Sequence, residues 1–417
     1  MIENPRIAVI GLGYVGLPLA AALSQHFDTV GFDINEARVA ELRDGHDRTG
    51  ELSDGALRDA PLSVTADLEE TRGCDIFIVT VPTPVGADNE PDLTAVRKAT
   101  EGVGSVIASG NIIVFESTVY PGVTEDICGP ILAEKSGLTP GTDFYLGYSP
   151  ERINPGDKVH TVDKITKVVS GETPEVAALL ARVYGSMNGG NIFIARNIKT
   201  AEASKVIENA QRDINIAFVN EISLIFEKMG ISVYDVLDAA GTKWNFLNFQ
   251  PGLVGGHCIG VDPYYLAHAA QANGVAPEVV LAGRRTNDGM STVVADRIHD
   301  LLSGKAKILV LGITFKENVP DIRNSKVADV IKRLEELGHA VTVYDPEADA
   351  EETREEYGID LAAEPGTDHD CVIGAVPHDA YSDLSLTNLV KADGLVADLK
   401  GMWRHRSLPD SMRRWSL

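Results

Sequence analysis

A glycine-rich turn between two predicted strands constrains the fold of this chain more than any other feature. Residues 6–10 form a continuous apolar run typical of a buried parallel strand. The turn Gly-Leu-Gly-Tyr-Val-Gly at 11–16 follows, then a helical pattern at 17–24 and a second strand at 29–32 that ends at Asp33. Strand, GxGxxG, helix, strand and acid in this order are the dinucleotide-binding fingerprint in its full context. The sequence therefore predicts a doubly wound α/β domain here.

The turn and the acid have predicted parts in binding a dinucleotide. The first glycine makes the tight turn, the second admits the pyrophosphate, and the third lets helix and strand pack, while the helix N-terminus holds the negative charge. Asp33 lies 20 residues after Gly13, where its carboxylate would accept the ribose hydroxyls and repel a 2′-phosphate, which favours NAD over NADP. Arg38 either lies over the adenosine or is a solvated helix arginine. The predicted cofactor residues of this region are Gly11, Gly13, Tyr14, Val15, Gly16, Asp33 and Arg38.

Three more predicted strands, at residues 75–81, 111–116 and 144–148, continue the doubly wound pattern. In such sheets ligands bind outside the carboxyl ends of the strands. Because Thr83 and Thr118 follow such ends, they are predicted to contact the cofactor or substrate, and Glu151 is a candidate base. The competing interpretations are helix N-caps for the threonines and a surface carboxylate for Glu151.

One long helix is predicted from residue 200 to residue 229, because apolar residues recur there at spacings of three or four. Another line of this helix carries Lys205, Asn209 and Arg212, which share one face. They are either site residues or a solvated stripe. A helix of this length between two α/β halves is a natural domain bridge and dimer surface.

A glycine-flanked cysteine follows this helix. In Gly-Gly-His-Cys-Ile-Gly-Val-Asp at 255–262, the glycines around Cys258 let a ligand approach the backbone closely, and Asp262 adds a carboxylate. A lone cysteine is more often an inert core residue. However, the four glycines between positions 252 and 260 make a poor core strand and a good substrate loop. Cys258 is therefore a candidate nucleophile.

A second α/β unit opens at residue 305, with strands predicted at 307–312, 340–345, 371–376 and 394–398. Its first turn lacks GxGxxG and carries Lys316 and Arg323, which suit the phosphates of a nucleotide other than the dinucleotide. The predicted fold is α/β, with two Rossmann-like doubly wound domains joined by a long central helix and a helical dimerisation region. The expected domains are 1–198, 199–303 with the cysteine loop, and 304–417.

Composition narrows the class of partner. The formal charge of −24 argues against nucleic acid and against an anionic membrane surface, and it reflects either solubility or a high-salt habitat. No apolar run reaches the length of a membrane span, and we expect no signal peptide. The four cysteines are scattered without a CxxC pair, which favours reduced thiols in the cytoplasm. No metal is expected.

Together, these motifs resemble those of the UDP-sugar 6-dehydrogenases, the UDP-glucose/UDP-N-acetylmannosamine dehydrogenase family. The resemblance covers about residues 5 to 405 and includes Lys205 with Asn209. The other motifs that carry it are GLGYVGLP at 11–18, VPTP at 81–84, ESTVYPG at 116–122, SPER at 149–152, GGHCIGVDPYY at 255–265 and FKENVPDIRNS at 315–325.

Within this family, two features resemble the branch that acts on N-acetylated sugars. UDP-glucose enzymes usually lack the Arg-Asp pair at 212–213, and they tend to have serine where this chain has His257. The cysteine loop is most similar to that of UDP-N-acetylglucosamine or UDP-N-acetylgalactosamine 6-dehydrogenases of polysaccharide synthesis. UDP-N-acetylmannosamine enzymes usually carry another residue at Gly260.

The resemblance implies a four-electron oxidation of C6 of a UDP-sugar, with one NAD for each of two hydrides. It implies that Cys258 holds the aldehyde as a thiohemiacetal and then a thioester, which water hydrolyses. Lys205 and Asn209 would stabilise charge on the C6 oxygen, Asp262 would orient Lys205 or water, and Glu151 with Thr118 would assist proton transfer. Arg323 would reach the cofactor. The substrate residues it implies are Glu151, Lys205, Asn209, Arg212, Gly255 and Lys316.

Several functions stay open at this stage. UDP-N-acetylglucosamine is the expected substrate, with UDP-N-acetylmannosamine and UDP-glucose as alternatives, and a homodimer is expected. A two-electron hydroxy-acid dehydrogenase also pairs a Rossmann domain with a Lys-Asn helix, but it needs neither Cys258 nor residues 305–400. An inactive NAD-binding protein would not need the set of acidic and basic groups.

Overall fold

The computed structural model describes residues 2–86, 88–152, 164–256 and 258–417. The chain forms two compact units, Met1–Glu208 with Tyr264–Val275, and Asn209–Pro263 with Ala276–Leu417. Each unit contains one parallel or mostly parallel sheet, which confirms the predicted fold class. No helix in the described part of the chain is long and apolar enough to cross a membrane.

The first unit is built on an eight-stranded sheet. Its strands are β1 (Ile7–Ile10), β2 (Thr29–Phe32), β3 (Ser63–Thr65), β4 (Ile76–Val79), β5 (Ile112–Phe115), β6 (Tyr145–Tyr148), β7 (Lys167–Gly171) and β8 (Ile192–Ile194). Their order in the sheet is β3-β2-β1-β4-β5-β6-β7-β8, and every neighbouring pair is parallel except β6 and β7. The strand order reverses between β1 and β4, which is the position where doubly wound sheets bind ligands.

Apolar runs explain the central strands of this sheet. Every residue of β1, β4 and β5 is buried, as expected of strands covered on both faces. Leucines of the first helix and valines of a later one pack against these strands in one core. The helices of this part are α1 (Gly16–Ser24), α2 (Glu36–Arg43), α3 (Asp54–Asp59), α4 (Thr94–Val106), α5 (Gly129–Ser136) and α6 (Pro174–Gly185), with a π-helical turn at Val123–Cys128.

The predicted long helix is present as α7, Ile198–Met229. It is 32 residues long, and its first residues belong to the first unit while the rest belongs to the second. The next three helices are α8 (Val233–Gly241), α9 (Asp262–Ala272) and α10 (Glu278–Leu301). The cysteine loop lies between α8 and α9 and has no regular secondary structure among its described residues.

The second unit contains a five-stranded, all-parallel sheet. Its elements are β9 (Lys307–Leu311), α11 (Lys326–Glu336), β10 (Ala340–Tyr344), α12 (Ala350–Tyr357), β11 (His369–Gly374), α13 (Leu386–Leu389), β12 (Val390–Asp398) and β13 (Arg413–Ser416). The order is β10-β9-β11-β12-β13. Apolar residues of β9, β11 and β12 pack against α10 and α11 in the main core of this unit.

Candidate active site

The glycine turn after β1 has the shape that a dinucleotide needs. Gly11 has φ +98°, and a Cβ on Gly16 would overlap the Gly11 carbonyl oxygen and the Thr80 hydroxyl. At Gly13 a Cβ would meet nothing within 4 Å, so this face of the turn is open. The N-cap of α1, Val15, offers no side-chain hydrogen bond, so the first N–H groups of the helix have no side-chain cap from it. The turn therefore fits a pyrophosphate at the helix N-terminus.

Asp33 and Arg38 both bond to the backbone of this turn. Asp33 lies at the end of β2, where Oδ2 accepts the Leu12 N–H at 2.8 Å and Oδ1 accepts the Asn35 N–H at 2.9 Å. Arg38 is buried, donates from Nε to the Leu12 carbonyl at 3.1 Å and pairs with Asp47 at 2.7 Å. Arg38 is thus not a solvated helix arginine; it holds the turn from inside, and its contact with the adenosine stays a prediction.

The two predicted threonines lie in loops at the carboxyl edge of the first sheet. Thr83 follows β4 and Thr118 follows β5, and both are partly exposed. Neither caps a helix, because the N-cap of α4 is Leu93 and that of the π-helical turn is Gly122. The Ser117 hydroxyl donates to the Val81 carbonyl at 2.6 Å and so fastens one loop to the other. Both threonines remain available for a ligand at this edge.

Glu151, the candidate base, is not a surface carboxylate. It follows β6, it is buried, and its Oε2 lies 3.3 Å from the Nζ of Lys167, the first residue of β7. The Arg152 N–H donates to Oε1 at 2.5 Å. Lys167 also pairs with Glu116. The sequence prediction missed both partners, although Glu116 could have been found by the same strand-end rule that selected Glu151.

The polar line on α7 divides into buried and exposed members. Lys205 and Asn209 are buried, so for these two the interpretation as a solvated stripe is wrong, whereas Arg212 is exposed. Asn209 Nδ2 donates to Asp262 Oδ2 at 2.5 Å. Arg212 does not pair with its neighbour Asp213, whose carboxylate accepts from Arg284 at 2.5 Å. The exposed guanidinium of Arg212 is therefore not held in an ion pair with Asp213.

The cysteine loop packs against the Phe-Lys-Glu-Asn turn after β9. A Cβ on Gly255 would meet the Asn324 carbonyl oxygen at 2.6 Å, and a Cβ on Gly256, where φ is +80°, would meet the Phe315 ring at 2.9 Å. Close packing of these two backbones thus requires glycines. Two of the sequence motifs, at 255–265 and 315–325, are in this way brought together inside the second unit.

Cys258 itself is partly exposed and begins a turn that leads into α9. Its carbonyl accepts the N–H groups of Val261 at 3.1 Å and Asp262 at 2.9 Å. Upstream, the Asn220 side chain both donates to the Gly252 carbonyl and accepts its N–H, at 3.0 and 2.8 Å. The loop that carries the sulfur is therefore fixed at both ends. His257, which distinguished the two branches of the family in the sequence analysis, lies outside the described residues.

A basic pocket lies beside this loop in the second unit. It is lined by Gly255, Phe315 and three lysines, Lys316, Lys326 and Lys400. Burial lowers the pKa of Lys400, with Glu317 opposing this shift. Lys400 was missed, although it follows β12 directly and the strand-end rule could have found it. Lys326 pairs with Asp329 at 3.0 Å, and Glu317 also lines the pocket. Lys316 and Lys400 still give the pocket a basic side in a protein of charge −24, which favours an anionic ligand.

Arg323 is the other predicted basic residue of this region. Its guanidinium makes two hydrogen bonds to the Asp321 carboxylate, at 2.9 and 2.6 Å. Its contact with the cofactor stays a prediction.

The described residues thus form two partial sites, one in each unit. The first unit holds the dinucleotide turn, Thr118, Glu151 and Lys205, and the second holds Asn209, Cys258, Asp262 and the basic pocket. A dinucleotide-binding turn in one unit and a basic pocket beside a cysteine loop in the other fit an NAD-dependent dehydrogenase that also binds an anionic ligand.

Comparison with known proteins gives the family. Models of the UDP-glucose/GDP-mannose dehydrogenase family match the chain along most of its length: the NAD-binding domain at 5–188, the central domain at 199–289 and the UDP-binding domain at 309–405. The chain belongs to this family. It is an NAD-dependent oxidoreductase of the UDP-sugar dehydrogenases, as the sequence motifs predicted.

Individual relatives are similar over nearly their whole length. Protein CapL of Staphylococcus aureus is 51% identical, with 99% of this chain and 100% of CapL covered. The UDP-N-acetyl-D-glucosamine 6-dehydrogenase of Pseudomonas aeruginosa is 50% identical, with 96% and 97% covered. Among solved structures, a UDP-D-ManNAc dehydrogenase from Pyrococcus horikoshii superposes with a TM-score of 0.88 at 29% identity, covering 98% of both chains.

Proposed function

We propose that this enzyme oxidises C6 of UDP-N-acetylglucosamine to the carboxylate, in two successive two-electron steps. The observation that carries the proposal is the glycine-framed Cys258 loop, which packs directly against the turn bearing Lys316 and borders the basic pocket. The name and the 50% identity of the Pseudomonas aeruginosa relative support the choice of sugar. UDP-N-acetylmannosamine and UDP-glucose are the alternatives within the family.

Cys258 supplies the covalent step. Bound NAD accepts the hydride that leaves C6 in each oxidation. After the first, the Cys258 sulfur bonds to the aldehyde carbon and the aldehyde oxygen takes a proton, which gives a thiohemiacetal. The second removes the remaining C6 hydride and the hydroxyl proton, which gives a thioester. Water then bonds to C6, the C6–S bond breaks, and Cys258 leaves as a thiolate.

The polar side chains around this step stabilise charge and move protons. Lys205 and Asn209 stabilise negative charge on the C6 oxygen. The hydrogen bond between Asn209 and Asp262 fixes the direction in which the Asn209 amide points. Glu151, assisted by Thr118, accepts the proton of the water that attacks the thioester.

The two nucleotides use the two halves of the chain. The pyrophosphate of the UDP-sugar binds at the pocket with Lys316 and Lys400, and Gly255, which also lines this pocket, contacts the substrate through its backbone. NAD binds at the glycine turn, with Asp33 at its ribose and Thr83 and Arg323 among its contacts. Arg212 binds the N-acetyl group. The functional domains run from 1 to 198, 199 to 303 and 304 to 417, which the ranges of the three family models support.

A second copy of the chain is the proposed partner of α7. Phe218, Ile225 and Met229 recur at helical spacing and are 60%, 47% and 62% exposed. An apolar stripe of this kind on a long helix is typical of a helix–helix interface. We propose a homodimer through this stripe, in the cytoplasm, where the catalytic thiol stays reduced.

The replacement Cys258→Ser tests the covalent step. Wild-type enzyme should form two NADH per UDP-N-acetylglucosamine, and Cys258→Ser should lower turnover by about 10³-fold or more, because a serine hydroxyl is a poor nucleophile at neutral pH. Any residual product should be aldehyde or its hydrate, detected by mass spectrometry of a single turnover. Cys74→Ala, at a buried thiol of the first unit, is the control and should keep normal stoichiometry.

The NADH count also separates the rival functions. One NADH per substrate in the wild type would instead indicate a two-electron dehydrogenase, and none would indicate an inactive binding protein. Uronate formation by Cys258→Ser at the wild-type rate would make Cys258 a packing residue and refute the mechanism.

A further inference from the structure

Three ionisable side chains are buried together at the carboxyl edge of the first sheet. Glu116 follows β5, Glu151 follows β6, and Lys167 begins β7; they are 1%, 8% and 2% exposed. The Lys167 ammonium pairs with Glu116 Oε1 and lies 3.3 Å from Glu151 Oε2. The Tyr184 hydroxyl of α6 donates to Glu116 Oε2 at 2.7 Å. Among the described residues, the Lys167 ammonium contacts both carboxylates in a space nearly closed to solvent.

The described members of this cluster are two carboxylates and one ammonium group. One buried glutamate would be enough to pair with Lys167. The second buried carboxylate adds a desolvation free energy that destabilises the fold, so its presence points to a function. Burial raises the pKa of Glu116 to about 7, against the opposing effect of Lys167. Burial alone would lower the pKa of Lys167, but the two carboxylates outweigh it and raise that pKa. Glu116 and Glu151 therefore compete for the charge of the Lys167 ammonium, which contacts both.

Glu151 is the outermost member, and its position is set by β7. The Ser149 hydroxyl donates to the Val168 carbonyl at 2.8 Å, and the Ser170 hydroxyl donates to the Tyr148 carbonyl at 3.0 Å. These bonds hold the end of β6 against the strand that carries Lys167. The next residue, Arg152, pairs with Glu208 of α7 at 2.8 Å and donates to the Thr166 carbonyl at 3.0 Å.

We propose that Lys167 and Glu116 are positioning residues that hold Glu151 in place and keep it ionised, ready to accept the proton released when water attacks the thioester. This inference rests on the proposed function. Lys167 supplies the positive charge that favours the ionised form of Glu151. Glu116 competes for the same ammonium, so its own proton uptake decides how much of that charge Glu151 receives. Tyr184 fixes the far oxygen of Glu116.

The two partners should therefore act on Glu151 in opposite directions. Lys167→Met removes the ammonium that contacts both carboxylates, so Glu151 needs a higher pH to ionise. Glu116→Gln removes the competing charge, so Glu151 ionises at a lower pH. Lys167→Arg keeps the cation and should restore the wild-type behaviour. If Lys167 and Glu116 had a purely structural role, their variants would lose activity, but the acidic limb of the pH profile would not move in opposite directions in the two.

The experiment is a set of pH profiles of kcat and kcat/KM between pH 5 and 9, with NADH counted per UDP-N-acetylglucosamine. Relative to the wild type, the acidic limb of kcat should move up by about one pH unit or more in Lys167→Met and down in Glu116→Gln, so that kcat at the lower pH differs about tenfold or more between them. KM for both substrates should stay constant, because neither residue is placed in a binding role. Lys164→Met, at an exposed lysine just before β7, is the control and should match the wild type.

The outcomes separate this inference from the function on which it rests. Suppose that the wild type forms two NADH per substrate, but the acidic limb of kcat does not move in the variants or moves in the same direction in both. This result would overturn the inference and leave the proposed function intact. A wild type that does not oxidise the sugar would overturn the proposed function, and the inference with it. If Lys167→Met fails to fold, Glu116→Gln and Lys167→Arg provide the test. The proposal is upheld if the acidic limb of kcat moves to lower pH in Glu116→Gln and stays in place in Lys167→Arg. Any other combination of results refutes it.

Discussion

Glu202 on α7 offers a sharp test of how buried charge acts in this fold. Its side chain has no solvent exposure, and its carboxylate accepts the N–H of Gly122 at 2.6 Å and that of Thr124 at 2.9 Å. These donors begin the π-helical turn that follows the loop with Thr118. Glu202→Ala leaves both N–H groups buried without an acceptor, and each orphaned donor costs about 1–3 kcal/mol. The expected loss of unfolding free energy is therefore about 2–6 kcal/mol.

The pH dependence separates the charge of Glu202 from its hydrogen bonds. Burial raises the pKa of Glu202 to about 7, with the two backbone N–H groups opposing the shift. Between about pH 4.5 and pH 7 the folded protein holds a proton that the unfolded chain has released, so stability falls as pH rises. The fall amounts to about 3 kcal/mol and is complete above pH 7. Glu202→Gln keeps the shape without this titration.

The assay is the difference in unfolding free energy between wild type and Glu202→Gln at pH 5, 6, 7 and 8. Because all other titrating groups are shared, this difference should shift by about 3 kcal/mol in favour of the variant as pH rises. Lys199→Ala, which removes an exposed ion pair with Asp126 at 2.8 Å, is the control and should cost under about 1 kcal/mol at every pH. A difference that is the same at pH 5 and pH 8 would mean that Glu202 is ionised throughout and would refute the reasoning.

Two further predictions concern exposed residues of α7. Arg212→Leu should lower the ratio of kcat/KM for UDP-N-acetylglucosamine over UDP-glucose about tenfold, because one charged hydrogen bond to the substrate is lost. Gln211→Leu is the control and should leave the ratio unchanged, and an unchanged ratio in Arg212→Leu would mean that Arg212 does not recognise the substrate. Phe218→Glu puts a charge in the apolar stripe and should convert the dimer into a monomer in sedimentation experiments, whereas Val279→Glu on α10 should leave the dimer intact. A monomeric wild type would contradict the proposed interface.

The parts of the fold that could be predicted are those where a local pattern determines the structure. The apolar runs of β1, β4 and β5 are buried on both faces, and the 3.6-residue periodicity marked α7 to within two residues at its start. The glycine turn was readable because its backbone conformation excludes other residues. The short strands β3, β7, β8 and β13 were not identified, because they have three to five residues each and all but β8 carry polar or charged side chains.

The buried ion pairs could not be predicted, because their partners are far apart in sequence. Lys167 and Glu116 are separated by 51 residues, and Glu202 accepts from a loop about 80 residues earlier. In the sequence each of these charges resembles an ordinary surface charge, and the tertiary fold alone brings the partners together. Arg38 is the same case: its helix is polar enough to suggest a solvated side chain, yet Asp47 and the Leu12 carbonyl hold it inside.

The surrounding protein affects the charges of two lysines of the candidate site, the buried Lys167 and the partly exposed Lys400, in opposite ways. The carboxylates of Glu116 and Glu151 raise the pKa of Lys167 against the effect of burial, so this lysine has its counter-charge within the protein. Burial lowers the pKa of Lys400, so the fold by itself disfavours its charged form. A phosphate beside Lys400 would reverse that effect, since a nearby anion stabilises the ammonium form. This difference supports the two proposed roles: Lys167 positions a carboxylate, and Lys400, whose shift Glu317 opposes only in part, belongs to the anion pocket.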